Sequence, residues 1–375
     1  MFKSCCVPFL LVTILNLKLS TILLVQALSS PSTSTEAITR SPSGATKLLK
    51  ICQEARDEKK RNNENRSIIL PGIHDALSAK IFTNAGAKAL FLSGFGVSAC
   101  KLGQPDVGLL TQTEMEDTLR SVIQAISSSG SITPVIVDGD TGYGGTMNIR
   151  RTIRSFASAG AAAITIEDQM FPKKCTYAAG KGVRVVSFEE CKARIMTAIA
   201  ARDEARMLDG NDVLIVARTD CRAALGLEEA VARCKMFEEL GADICYAENL
   251  QSREEYDILR YKLNPSTITM LAQVQLFPSN NSHEERSTEG SADQFDQVLF
   301  SAHDIGEMGY DLALFGVTPL QSIVHAMKSI ASEILVPDAS GLIEDTSLTP
   351  FSELKETVGF AEAEDFDSLY GSHGN

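Results

Sequence analysis

The chain has 375 residues, 44% of them hydrophobic, which is enough to bury a full core. Its length suits one α/β barrel of about 250 residues plus extensions. A net charge of −13 and a pI near 5.0 exclude nucleic acid and anionic membrane surfaces as natural partners, although a few local Arg and Lys can still take up a small anion.

Residues 1–27 read as a signal-like leader. Lys3 is followed by an apolar run from Val7 to Ala27, broken by Asn16 and Lys18. Val25-Gln26-Ala27 places small residues at −3 and −1 of a cleavage site. A membrane anchor is the alternative, but the run is barely long enough to span and carries Lys18 in its middle. No stable membrane insertion is expected after processing. Residues 28–46 are rich in Ser and Thr with Glu36 as the single acid, the composition of a linker or transit segment. This order predicts an organellar location, a plastid reached through the secretory route, with mitochondrial import and secretion as alternatives. Of the nine cysteines, Cys5 and Cys6 belong to the leader. The other seven show no metal-ligand spacing, and several sit among apolar residues and read as small buried hydrophobes, which predicts a reducing compartment.

The barrel is expected over residues 47–335. Lys47 to Arg66 is a charged, helix-compatible opening. Eight short apolar runs then alternate with helical segments: Ser67–Pro71, Ala89–Leu92, Pro134–Val137, Ala163–Ile166, Val213–Ala217, Asp243–Ala247, Ile268–Ala272 and Leu312–Phe315. Polar residues collect at their C-terminal ends, the pattern of a (β/α)8 TIM-type barrel. Between the third and fourth runs, Ile153, Phe156, Ala157 and Gly160 are spaced for one buried helix face. The polar stretch 278–297 reads as a loop insertion, and residues 336–375 as an acidic tail whose final DFDSLYGSHGN is expected to be disordered.

The third run ends abruptly in Asp138-Gly139-Asp140, the fourth in Glu167-Asp168. Asp138 and Asp140 are two apart, so on an extended segment both side chains leave one side. Two carboxylates on one side repel unless a cation lies between them, and hard oxygen ligands suit Mg²⁺. A solvated β-turn is the plainer reading of DGD alone.

Together VDGDTGYGG, IEDQMFPKKC and VARTD resemble the isocitrate lyase / phosphoenolpyruvate mutase superfamily, over roughly Ile68 to Lys328. The chain is most similar to the branch that holds 2-methylisocitrate lyase, oxaloacetate hydrolase and plant carboxyphosphonoenolpyruvate-mutase-like proteins. The resemblance implies a barrel enzyme that uses Mg²⁺, with Mn²⁺ as a substitute, on a small carboxylate. It also implies a helix-swapped C-terminal region in a homodimer or homotetramer. Residue by residue it implies Asp138 and Asp140 as metal ligands, with Glu167 and Asp106 as outer acids. Ser93 and Gly94 would receive a substrate carboxylate, Arg218 would bind one, and Glu248 would orient that arginine. Phe91 would lie near the substrate, lacking the hydroxyl of relatives that have Tyr, and Gln273 stands where relatives usually have Asn. Lys173-Lys174-Cys175 matches a lyase loop whose cysteine acts as acid/base. Two neighbouring lysines would favour its thiolate. Thr176 and Tyr177 depart from the Gly-His of that loop. The implied reaction is carbon–carbon cleavage of a 2-hydroxy di- or tricarboxylic acid, or the related oxaloacetate-type hydrolysis. A phosphonopyruvate-type P–C mutase or hydrolase and a non-catalytic carboxylate-binding barrel are the alternatives.

Overall fold

A computed structural model describes residues 42–62, 66–127, 133–176, 182–275, 299–335 and 348–371. The expected insertion at 278–297, the leader, Tyr177 and most of the linker lie outside these. Residues from Ser43 onward form one compact unit. Its eight strands are β1 (Ile68–Ile73), β2 (Leu90–Leu92), β3 (Val135–Asp138), β4 (Ala163–Glu167), β5 (Leu214–Thr219), β6 (Ile244–Ala247), β7 (Ile268–Ala272) and β8 (Leu312–Phe315). Each pairs in parallel with the next, and β8 closes on β1, so the barrel has no sheet edge. The expected (β/α)8 architecture is the observed one.

The helices around and beyond the barrel are α1 (Gly44–Asn62), α2 (Ala76–Asn84), α3 (Gln112–Ser127), α4 (Thr146–Ser158), α5 (Phe188–Glu204), α6 (Leu227–Leu240), α7 (Arg253–Lys262), α8 (Ala302–Glu307), α9 (Thr318–Ile334), α10 (Phe351–Val358) and α11 (Phe360–Tyr370), with single helical turns at Gly94–Val97 and Arg222–Leu225. Local chemistry sets several ends. Asp75 accepts from the N–H of Ser78 and starts α2, Ser187 and Ser252 do the same for α5 and α7, and Gly241 ends α6 in a left-handed conformation.

Strand periodicity divides the core in two. Leu70, Phe91, Ile136, Ala163, Val216, Tyr246, Met270 and Leu312 pack inside the barrel, closed at one end by Ala45, Leu48 and Cys52 of α1. Ile73, Leu92, Val135, Val137, Ile164, Ile215 and Leu271 point outward against the helices. This parity continues past the strand ends and decides which polar side chains reach the mouth.

Three expectations are corrected. Gly160 lies beyond α4, exposed, in a turn at φ 98°, so the buried face of α4 is carried by Ile149, Thr152, Ile153, Phe156 and Ala157. Arg218 and Thr219 belong to β5 itself, paired with Tyr246 and Ala247, rather than to the loop after it. In the tail, Asp365–Tyr370 is helical as part of α11. Five of the cysteines (Cys52, Cys191, Cys221, Cys234 and Cys245) are buried free thiols, as their apolar surroundings predict.

Candidate active site

The β3–β4 end of the barrel is stitched so that its acids converge. The N–H of Gly139 donates to the carbonyl of Thr165, and the N–H of Glu167 donates to the carbonyl of Asp140. Asp140 takes a left-handed backbone (φ 49°), which Asp tolerates better than most residues. Asp138 accepts from the N–H of Gly94 (3.2 Å), its neighbour Asp140's N–H (3.3 Å) and the Thr165 hydroxyl (3.0 Å). A Cβ on Gly94 would come within 2.8 Å of Asp138 Oδ2 and 3.4 Å of Asp140 Oδ1. Both carboxylates therefore close on a backbone position that has no side chain.

Lys173 is a cation that bridges Asp140 and Asp106. Its ammonium contacts Asp140 directly and lies 2.8 Å from Asp106 Oδ1, almost fully buried. Burial works against Asp138's charge, but Lys173, Arg218 and its hydrogen bonds prevail and hold its carboxyl below the usual range. Burial pushes Asp140 up to about 7, with Lys173 pulling the other way and Asp138 and Asp106 adding to the rise. Burial also raises Glu167 well above an ordinary glutamate, aided by the charge of Asp220.

The donors are of the chemical type that a hard divalent cation takes. They are carboxylate oxygens only, drawn from Asp138, Asp140, Asp106 and Glu167, and buried Glu167 Oε1 makes no hydrogen bond. An ammonium already bridging two of these acids shows that the cradle calls for positive charge.

Across the mouth, Arg218 forms a fork with Asp220 (Nε 2.7 Å, Nη2 3.1 Å) and also approaches Glu167 (3.4 Å) and Glu248 (3.3 Å). It lies 5.4 Å over the ring of Tyr246, whose hydroxyl bonds Glu248. Burial opposes the guanidinium's charge, yet these acids raise its proton affinity further, so it is a permanent cation.

A cavity of about 90 Å³ joins these groups, lined among others by Phe91, Ser93, Asp138, Glu167, Lys174, Cys175, Arg218 and Glu248. This space suits a small acid. The residues singled out in the sequence thus meet, with four differences of detail. Gln273 does not line the cavity. It has the outward parity of Leu271, and its amide clamps both the N–H (2.6 Å) and the carbonyl (2.7 Å) of Phe300. Val274 lines the mouth in its place. The Gly94 N–H is committed to Asp138, and the Ser93 hydroxyl caps the N–H of Gly96 (3.2 Å). Lys173 forms ion pairs with Asp106 and Asp140.

Sequence reasoning assigned no role to Gln169, Asp220, Tyr246 or the buried Asp168–Arg233 pair (2.8 Å). Strand parity offered a signal for Tyr246, two residues before Glu248 on β6. Nothing comparable marks Arg233, which comes from a helix 65 residues further along.

A closed parallel barrel that gathers acids, a guanidinium and a thiol around a small cavity at its strand ends defines an α/β-barrel enzyme for small anions. The sequence pattern of the phosphoenolpyruvate phosphomutase family matches residues 59–335. A 2,3-dimethylmalate lyase of Eubacterium barkeri is 30% identical over 307 residues, covering 82% of this chain and 94% of its own. The chloroplastic carboxyvinyl-carboxyphosphonate phosphorylmutase of Arabidopsis thaliana is 40% identical over 270 residues, covering 71% and 70%. Among solved structures, an oxaloacetate acetylhydrolase in complex with 3,3-difluorooxalacetate superposes with a TM-score of 0.73 at 27% identity, covering 89% of this chain and 99% of that one. The chain belongs to the phosphoenolpyruvate phosphomutase family, within the isocitrate lyase/PEP mutase superfamily, and is an enzyme of the lyase and hydrolase kind found there.

Proposed function

We propose that the protein is a Mg²⁺-dependent carbon–carbon lyase acting on a 2-hydroxy dicarboxylic or tricarboxylic acid. The observation that carries this reading is the presence of Cys175 on the wall of the cavity that holds Asp138, Glu167 and Arg218. A lyase must deliver a proton to the carbon released when the bond breaks, whereas a P–C mutase needs no thiol. The lyase, mutase and hydrolase names among the relatives leave the chemistry to the site, and the thiol favours the lyase.

Arg218 would receive a substrate carboxylate on its two Nη groups, while its Nε stays on Asp220 Oδ1. Asp138 and Asp140, with Glu167 and Asp106 outside them, would hold Mg²⁺. When bound, that ion would supply positive charge to the 2-hydroxyl oxygen of the substrate, whose proton passes to a neighbouring carboxylate as the carbon–carbon bond breaks, while the electron pair of that bond goes to the other fragment. Lys173 balances the same acids while the loop that carries it lies over the cavity. Phe91 and Val274 give the cavity its apolar walls, and Cys175 donates the proton.

The test is Cys175→Ser assayed on a panel of 2-hydroxy and 2-oxo acids with Mg²⁺, following 2-oxo acid release. Losing a positioned acid/base costs about 10² to 10⁴ in rate, so turnover should fall at least about 10²-fold with little change in ground-state binding. Buried Cys191, whose thiol proton is held tightly by burial and by Asp168, should change silently to Ser. Equal turnover in the wild type and Cys175→Ser would transfer the assignment to the mutase or hydrolase.

The same reading extends to assembly and location. Among the described residues α9 buries only Leu320 and exposes Ile323, Val324 and Met327, which supports a homodimer or homotetramer built through this region. Light scattering of the purified chain would test it. The leader and Ser/Thr-rich segment support import into a plastid through the secretory route, and a fluorescent fusion of residues 1–46 confined to the cytosol would reject that. No helix among the described residues is long and apolar enough to cross a membrane.

A further inference from the structure

Gln169 is a buried amide that pairs with one residue of the cysteine loop as a neighbouring strand would. Its Nε2 donates to the carbonyl of Lys174 (3.0 Å) and its Oε1 accepts the N–H of Lys174 (2.9 Å). The same Nε2 donates to Asp220 Oδ2 at 2.6 Å, and the side chain is 2% exposed. Only a carboxamide offers two donors and an acceptor in this planar arrangement. Asp220 is itself fixed, its N–H donating to Asp168 Oδ1 at 2.9 Å. The contacts therefore run without a gap from Arg218 through Asp220 and Gln169 to the peptide that precedes Cys175.

Asp220 Oδ2 is shared. It accepts from Gln169 Nε2 and, at 3.1 Å, from Arg218 Nη2. An acceptor divided between two donors strengthens its bond to one when the other turns away. A carboxylate that draws Arg218 toward itself leaves Asp220 Oδ2 to Gln169, which tightens the hold on Lys174.

We propose that Gln169 is a positioning residue that seats Cys175 over the cavity and makes this seating depend on a carboxylate at Arg218. The proposal rests on the lyase reading for the roles of Arg218 and Cys175, and its consequence is specificity. An acid that fails to engage Arg218 leaves the thiol poorly placed.

The experiment measures iodoacetamide modification of Cys175 in the full chain, by peptide mass spectrometry, with and without Mg²⁺ and oxalate as the probe. Exposed Cys100, outside the site, is first changed to Ser. In the wild type, oxalate should slow modification about tenfold, the worth of the two hydrogen bonds that hold Lys174. In Gln169→Glu, which can accept from Lys174 but cannot donate to Asp220, basal modification should quicken and oxalate protection should vanish. Oxalate affinity by calorimetry should fall by the same factor that protection loses, because coupling is reciprocal. With a turned-over substrate, kcat should fall more than KM rises. Gln169→Met removes all three bonds without adding charge and serves if the Glu variant does not fold. A Gln169 that only supports the fold would lower the melting temperature and leave oxalate protection intact. That result overturns the proposal, as does oxalate binding to the wild type without protecting Cys175. No oxalate binding at all would remove the carboxylate role of Arg218 and this coupling with it. Protection present in a protein that cleaves none of the acids leaves the coupling standing and rejects only the lyase chemistry.

Discussion

Arg233→Met tests the buried framework behind Arg218. Arg233 is 1% exposed and donates to Asp168 (2.8 Å), the carbonyl of Val186 (3.0 Å) and Glu229 (2.8 Å). Its loss leaves Asp168 buried without its ion-pair partner, held by the Thr219 hydroxyl (2.5 Å) and the Asp220 N–H. Breaking a buried pair from one side costs about 3–5 kcal/mol, on the order of 10 °C in melting temperature for a chain of this size. Burial already holds Asp168 above an ordinary aspartate, the charge of Asp220 adding to this and Arg233 opposing it. Removing Arg233 raises it further. A carboxyl whose folded pKa exceeds its unfolded one, about 3.9, favours folding fully below that unfolded value and loses this contribution as pH rises through the folded pKa. The deficit of Arg233→Met should thus be widest at pH 8 and shrink at pH 5. Adding Asp168→Asn should restore most of the loss, since a neutral pair has little charge to bury. Thermal melts of the single and double variants at both pH values provide the measurement. A single variant that melts within about 2 °C of the wild type at pH 8, or a deficit that grows on acidification, would refute the reasoning.

Asp138→Asn should fold normally but lose the stabilisation that Mg²⁺ gives the wild type, about 2.7 kcal/mol at a hundred times Kd. Melts with and without Mg²⁺ read this directly, and equal Mg²⁺ shifts would dismiss Asp138 as a ligand. Gly94→Ala should weaken Mg²⁺ binding in the same assay, because the new Cβ would meet Asp138 Oδ2 at 2.8 Å; unchanged affinity would mean that the turn gives way instead. Gln273→Ala should destabilise the fold by about 1–3 kcal/mol for each Phe300 group left unpaired, read by urea unfolding, while oxalate affinity stays as it was. A loss of affinity with stability intact would return Gln273 to the substrate.

Much of the site could be read in the sequence because a barrel places its chemistry by a local rule. Where an apolar run stops, its last inward residues stand at the mouth, so Asp138, Glu167, Arg218 and Glu248 announce themselves at the ends of β3 to β6. The run of β7 and the spacing of β8 were equally plain, since a strand buried on both faces has to be apolar throughout. Parity was harder to apply. A one-residue difference separates Val274 in the cavity from Gln273 against Phe300, and the chain carries no mark that says which of the two faces inward. Asp168 and Arg233 lie further beyond the sequence's reach, because a buried ion pair between a strand end and a helix forms only after the helix has docked. Lys173 shows the same limit. It lies two residues before Cys175, but its charge goes to Asp106 and Asp140, because a buried ammonium settles where the negative field is strongest, and only the closed barrel brings those acids together. The sequence by itself determined the strands, their ends and the chemical types gathered there. The tertiary structure decided which of those groups spend their charge on each other and which remain for a ligand, since that choice depends on distances and burial that exist only in the folded chain.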